Sequence, residues 1–392
     1  MIDNRYIKYL ILAMTIFSVT IYWGAYASAV IAFFIVFINN RKLVIAFVIE
    51  QKPIIFLAVS LILSTIFSRT FSNSLIIDAI LLLHLLAFIV LVVGTRLEEL
   101  EGLFKLLNTL AICLCIYGIY QYLTGDLAIN KSWTDQKTFG SLVRIYSTMR
   151  NPNIFAGYLV FNISYASAYL IKKKSDIYTA INILLSSICL ILTYSRGGFI
   201  AFIAAMLVIM VLCREWKVAV YLVIMGILYY SYNMIGNLNR ADLGLLNTDS
   251  SSLYRMEIWK ASFNLFLKNI AFGSGPGSVM KYLSFSSAKL KGFIMHSHNI
   301  PIHLFAETGL VGFTSFTVII FTCLKKFISF WKEHRDSSFS YIAVGFAASI
   351  TALMVHGLVD CVIFVPTRSI VFLIYLSLFP ILLYNMRKLS LK

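Results

Sequence analysis

The chain has 392 residues, 60% hydrophobic and only 13% charged, with a formal net charge of +16. Soluble domains are roughly half apolar and about a quarter charged, so a water-soluble globular protein is excluded. The six cysteines all lie in or beside apolar runs and none forms a C-x-x-C pair, which excludes a disulfide framework and a cysteine metal site of that spacing.

Long apolar runs recur along the chain and predict an all-α polytopic membrane protein. About twelve transmembrane helices are expected, near Tyr9–Trp23, Tyr26–Ile38, Pro53–Phe67, Leu75–Gly94, Leu103–Tyr122, Asn153–Ile171, Ile177–Tyr194, Gly197–Cys213, Val218–Ile235, Ile300–Leu324, Tyr341–Val359 and Ser369–Tyr384. The first run lacks an A-x-A-like site and a second follows at once, so no cleavable signal peptide is expected. With no internal repeat or proline-rich linker, residues 1–392 read as one membrane domain with a periplasmic or extracellular cap.

Lysine and arginine in the short loops set the orientation. With a cytoplasmic N-terminus, Arg5 and Lys8, Arg41 and Lys42, Arg96, Lys172–Lys174, Arg214 and Lys217, Lys325 and Lys326, Lys332 and Arg335, and Arg387 and Lys388 all stay inside. Both termini are then cytoplasmic. Two larger segments face outward, residues 124–152 and residues 236–299, and both are basic. Long loops cross regardless of charge, and an outward basic surface suits an anionic partner or anionic lipid headgroups.

The candidate chemistry lies in and beside these outward segments. Arg196, in T-Y-S-R-G-G, falls at the outer boundary where a helix begins. Free N–H groups and the helix dipole favour an anion there, although an arginine at that depth can also simply reach to headgroups. Arg255 opens an amphipathic stretch with Met256, Trp259, Phe263 and Phe266 at helical spacing and Lys260, Asn264 and Lys268 opposite. This reads as a helix lying on the membrane surface, with Arg255 at the depth of lipid phosphates. F-G-S-G-P-G-S, Phe272–Ser278, lacks the G-K-(S/T) ending of a phosphate loop and reads as a turn reversing the chain.

His296 and His298, in H-S-H-N, precede an expected span. No third ligand has recognisable spacing, so no metal site is expected. A neutral histidine there suits general-base work, with Asn299 to orient it, or the motif caps the next helix. Asp360 and Arg368 flank a short outward link, where ionisable groups are functional candidates or a local ion pair.

His298-Asn299, nine residues, then Gly309-Leu310-Val311-Gly312 resembles the H-(N/S/Q)-x9-G-x-x-(G/T/Y) pattern of the O-antigen ligases. T-Y-S-R-G-G, Y-R-M-E-I-W, F-G-S-G-P-G-S and N-P-N-I-F-A-G-Y (Asn151–Tyr158) are also similar to segments of that superfamily, which includes the O-antigen polymerases. The resemblance covers roughly Asn151 to Arg368. It implies a metal- and cofactor-independent glycosyltransferase of the bacterial inner membrane, acting at its outer face. The implied donor is a glycan on undecaprenyl diphosphate and the implied acceptor a hydroxyl of lipid A–core sugar, or of another lipid-linked repeat in a polymerase. By the same resemblance Arg196 and Arg255 bind the diphosphate, His298 is the base, and Asp360 and Arg368 form a polar pair near the end of the fold. No nucleic-acid partner is expected. A transporter or flippase of an anionic lipid is the alternative from another class; it calls for charges across the bilayer midplane, whereas these cluster at one face.

Overall fold

The computed structural model of the chain describes residues 4–125, 143–173, 176–235, 250–283, 294–365 and 368–390. Parts of both expected outward segments, residues 126–142, 236–249 and 284–293, lie outside the described residues, as does Lys174. No strand occurs among the described residues. The α-helices are α1 (Asn4–Val19), α2 (Tyr22–Glu50), α3 (Lys52–Ile66), α4 (Phe71–Gly94), α5 (Leu100–Thr124), α6 (Pro152–Lys173), α7 (Ile177–Leu192), α8 (Arg196–Cys213), α9 (Lys217–Ile235), α10 (Ser250–Leu267), α11 (Ser278–Leu283), α12 (Ile300–His334), α13 (Ser340–His356) and α14 (Ser369–Ser390).

The expected spans overlap these helices, the first of them running past the end of α1 at Val19 into α2. Seven of the helices, α2, α4, α5, α6, α8, α12 and α14, are long and apolar enough to cross a membrane by length and composition. The other five expected spans fall on α1, α3, α7, α9 and α13. One boundary differs clearly from expectation. The basic link expected after Ile38 is helical, because α2 bends at Asn40 (φ −137°, ψ 39°) and runs on to Glu50. The break comes instead at Gln51, where Pro53 sits in the first turn of α3, the position a helix tolerates proline best.

The described chain divides into two compact units. The first comprises Met1–Arg96, Leu253–Phe330 and Gly357–Leu373; the second comprises Leu97–Ser252, Trp331–His356 and Ile374–Lys392. In the first, α2 packs on α1 and α4. The Tyr26 hydroxyl meets His84 Nε2 at 3.0 Å, and the same nitrogen lies 2.6 Å from Ser369 Oγ. In the second, α6 is central and buried from Ile154 to Tyr169, with α7, α8 and α13 against it. A helix that is apolar all round belongs inside.

Polar side chains on α6 find partners within that second unit, as a low-dielectric interior requires. Asn162 Nδ2 donates to Asn182 Oδ1 at 3.0 Å and to Ser186 Oγ at 2.9 Å, while the Tyr375 hydroxyl donates to Asn162 Oδ1 at 3.1 Å. Asn182 in turn donates to Asn108 Oδ1 at 2.8 Å. Amide side chains from α5, α6 and α7 therefore join through one buried network.

Candidate active site

The site residues of the first unit come from three stretches of chain. Arg255 stands in α10, His296 and His298 in the segment entering α12, and Asp360 between α13 and α14. Asp360 is the hub. Its Oδ1 accepts from His298 Nδ1 at 3.0 Å and from the Cys361 N–H at 2.8 Å. Its Oδ2 lies 3.6 Å from Arg255 Nη2, and His296 Nε2 is 3.9 Å from Oδ1. Burial acts to raise the Asp360 pKa, but His298, then His296 and the Arg255 guanidinium, hold it well below the usual carboxylate range. Arg255 is one of the ion-pair partners of Asp360. Arg368 lies with its guanidinium carbon 5.7 Å over the Tyr22 ring.

The two histidines play unlike parts. Their rings meet edge to face at 4.4 Å. His296 Nδ1 accepts from the His298 backbone N–H at 3.3 Å. Its side chain is 6% exposed against 26% for His298. Burial, then the charge of His298, outweighs Asp360 and pushes the His296 pKa down to about 3. For His298, donation from Nδ1 to a carboxylate fixes the tautomer that leaves Nε2 with a free lone pair. His298 also has a left-handed backbone, φ +52°, a conformation costing a non-glycine residue roughly 1–3 kcal/mol and clustering at functional sites.

Asn299 does not supply the orienting contact that the sequence suggested; Asp360 does. Asn299 Oδ1 caps α12 by accepting from Ile302 N–H at 3.0 Å, and Nδ2 donates to the Leu358 carbonyl at 2.9 Å. The cap therefore ties the histidine segment to the stretch that carries Asp360. The Ile300 N–H strengthens this by donating to the Gly357 carbonyl at 2.6 Å.

The helix of Arg255 buries a different face from the one expected. Ile258, Ser262, Leu265 and Phe266 are buried, while Met256 and Phe263 are 44% and 47% exposed. The reason is that α10 is apolar on two sides. One side packs with Val279, Leu283, Ile294 and Ala306, and hydropathy alone cannot tell it from the exposed one. Arg255 shares the packed side, which directs it to Asp360.

The glycine turn does more than reverse the chain. Helix α12 is broken at Gly309 (φ +65°, ψ −163°), which frees backbone groups that apolar surroundings would leave unpaired. The 270–275 stretch takes them up. Ser274 and Gly275 N–H donate to the Ala306 and Glu307 carbonyls at 2.9 Å each, and Leu310 and Val311 N–H donate to the Ile270 and Ala271 carbonyls at 2.9 and 3.1 Å. The fit admits no side chain. A Cβ on Gly309 would lie 2.4 Å from the Ala271 oxygen, and one on Gly273, also at positive φ, 2.5 Å from the Glu307 carbonyl carbon. Gly309 of the histidine motif and Gly273 of the turn are thus two halves of one joint.

The other side of the turn rests on the start of the chain, which carried no motif in the sequence. Ser64 Oγ donates to the Glu307 carbonyl at 2.7 Å, Ser68 Oγ to the Ser274 carbonyl at 2.9 Å and Asn73 Nδ2 to the Gly277 carbonyl at 2.9 Å. The only signal was a cluster of small polar residues, S-R-T-F-S-N-S, between two apolar helices.

Arg196 belongs to the second unit, at the first turn of α8. Ser195 caps that helix, its Oγ accepting from Gly198 N–H at 3.2 Å and donating to Asn153 Oδ1 at 3.0 Å. Arg144, a basic residue of the outward segment 124–152, is buried here. Its Nε donates to the Thr193 carbonyl at 2.9 Å and its Nη2 to Asn153 Oδ1 at 3.0 Å. Asn153 therefore joins N-P-N to T-Y-S-R-G-G. Arg196 Nη2 itself lies 3.5 Å from Ser252 Oγ.

Among the described residues, ligating atoms of His296, His298 and Asp360 lie within 4.8 Å of one another, a group that could hold a metal ion. The third donor, missed in the sequence, stands 62 residues beyond His298. The donor set fits a divalent ion only in part, since Asp360 is already shared between an imidazole N–H and a guanidinium.

In this multi-pass helical membrane protein an imidazole, a buried carboxylate and an arginine thus meet at one centre. Residues 181–317 match the family model described as O-Antigen ligase. The matched stretch covers less than half of the chain. It contains Arg196, Arg255, His298 and Gly309 and ends before Asp360. No curated protein matches the chain.

Proposed function

We propose that the protein transfers a glycan from undecaprenyl diphosphate to an acceptor hydroxyl, with lipid A–core sugar as the acceptor, at the outer face of the bacterial inner membrane. The contact from His298 Nδ1 to Asp360 is the observation that carries this reading. It leaves Nε2 as the proton acceptor. As the acceptor O–H loses its proton to Nε2, the oxygen attacks the anomeric carbon. The bond from that carbon to the diphosphate breaks, and its electron pair leaves with the diphosphate. Attack from the opposite face inverts the anomeric centre. Asp360 stabilises the imidazolium, as the carboxylate of a Ser-His-Asp triad does.

Arg255 serves the leaving group. An arginine stays charged and grips phosphate with two parallel N–H donors, each such bond contributing roughly 1.5–3 kcal/mol. Its side chain is 26% exposed, so part of the fork remains open to a ligand. Arg196, at a helix N-terminus, is a phosphate ligand on its own account.

The test is transfer by purified protein from undecaprenyl-diphosphate glycan to lipid A–core in detergent. The expected product is glycosylated core, formed equally with and without EDTA, because protonation at His298 and charge at Arg255 need no metal. Loss on chelation with rescue by a divalent ion would reassign His296, His298 and Asp360 as ligands. Product only from a second lipid-linked repeat would make the protein a polymerase. Substrate crossing the bilayer without transfer would make it a flippase.

Orientation has its own check. A membrane-impermeant maleimide applied from outside should label Asn264→Cys in α10 and spare Ser338→Cys before α13. The opposite pattern would put the site on the cytoplasmic face, away from the proposed acceptor.

A further inference from the structure

Glu307 is a buried acid that the proposed chemistry leaves unused. Its Oε2 accepts from Gly277 N–H at 2.8 Å and its Oε1 from Val279 N–H at 3.1 Å, two donors that helix geometry leaves free where α11 begins. One turn earlier on α12, His303 places Nε2 3.6 Å from Glu307 Oε2. The other ring nitrogen of His303 lies 3.5 Å from Ser297 Oγ, which is 2.9 Å from Ser262 Oγ on α10. Ser262 and Ser297 are wholly buried, and His303 and Glu307 are 4% and 7% exposed. Ser297 stands between His296 and His298. Ser262 lies two helical turns after Arg255, on the same face. A buried polar line therefore runs from the glycine turn through α12 to the histidine segment and on to the helix of Arg255.

We propose that Glu307 is a positioning residue for the transfer reaction, acting through His303 and Ser297 to hold the H-S-H-N segment so that His298 keeps its bond to Asp360. The need for such a hold is visible at His298. Its left-handed backbone persists only where the surroundings over-determine it, and the buried polar contacts of Ser297 tie the segment to α10 and α12. The carboxyl of Glu307 anchors the far end of the line with both oxygens on backbone N–H groups. It touches no reacting atom. This inference rests on the reading of His298 as the base.

The experiment compares Glu307→Gln, Glu307→Asp, Ser297→Ala and His298→Ala in the purified transferase, with turnover counted per folded molecule by size exclusion and thermal melting. Gln keeps the volume but turns an NH2 group toward one of two N–H donors, where it cannot accept. The expected result is a turnover at saturating substrates lowered about 10- to 100-fold, the usual cost of a misplacement near 1 Å, with donor KM changed less than about twofold. Glu307→Asp, which retains both acceptor oxygens, should recover part of the loss, and Ser297→Ala should repeat the pattern without touching the turn. Normal turnover per folded molecule in Glu307→Gln and Ser297→Ala, with His298→Ala inactive, overturns the positioning role and leaves the base reading standing. Normal turnover in His298→Ala overturns the base reading first. Should Glu307→Gln fail to fold, Ser297→Ala decides alone.

Discussion

His298→Ala should lower glycan transfer by about 10²- to 10⁴-fold, the usual contribution of a positioned general base, while His296→Ala keeps most of the activity. The two differ in what their ring nitrogens already do. His298 gives its Nδ1 proton to Asp360 at 3.0 Å and keeps Nε2 for the acceptor. His296 is almost fully buried and its pKa is pushed down to about 3, so it is too weak a base to hold the acceptor's proton near neutrality. The His298 variant should still insert in the membrane and bind donor as the wild type does, because Arg255 keeps its Asp360 partner. Initial rates with saturating donor, beside a direct donor-binding measurement, check both halves. Near-normal transfer by His298→Ala would end the base assignment. Loss confined to His296→Ala would invert it.

Asp360→Asn should cost a similar factor for a different reason. The amide has nearly the shape of the carboxyl group but cannot accept at both atoms. With its oxygen toward His298, its NH2 group faces the Arg255 guanidinium, donor against donor, across a separation that is now 3.6 Å. Turned over, the NH2 group faces His298 Nδ1 and selects the tautomer with a proton on Nε2, the atom meant to receive one. The same exchange in a Ser-His-Asp triad costs ~10⁴-fold by that route. Donor affinity should hold or rise, since Arg255 loses a competitor for its charge. A rate within a few-fold of wild type would mean that Asp360 neither orients His298 nor stabilises its protonated form.

Much of the helix inventory was legible because apolar runs of span length have few other readings. Asn40 shows the limit, since a polar residue with basic neighbours reads as a loop and is here a bend within α2. Arg255, His298 and Gly309 drew attention in the sequence through the resemblance to the O-antigen ligases, all within the matched stretch 181–317. Their mutual arrangement was not legible, because Asp360 joins them from 62 residues beyond His298, and pairing across such a separation leaves no local pattern. Asn299 kept two readings in the sequence, because a residue before a helix can cap or can orient a neighbour, and composition does not separate the two; it caps α12. The burial of α10 was missed since its apolar residues occupy two faces. The role of Glu307 was not legible, because hydrogen bonds to backbone N–H groups depend on the turn's conformation rather than on any side chain in the sequence.

The joint at Gly309 bears on what counts as a separable piece of this protein. The family's stretch, 181–317, contains both halves of the joint but not Ser64, Ser68 or Asn73, which cover the carbonyls of Glu307, Ser274 and Gly277. Cut free, it would leave the Glu307 and Gly277 carbonyls with one backbone donor each and the Ser274 carbonyl without the Ser68 hydroxyl, at about 1–3 kcal/mol if that group stays buried and unpaired. It would also lack Asp360, and with it the partner of His298. Transplanting the signature stretch into a foreign scaffold would therefore move the emblem of the family without its working parts. Chimaeras between relatives should exchange the opening helices together with that stretch.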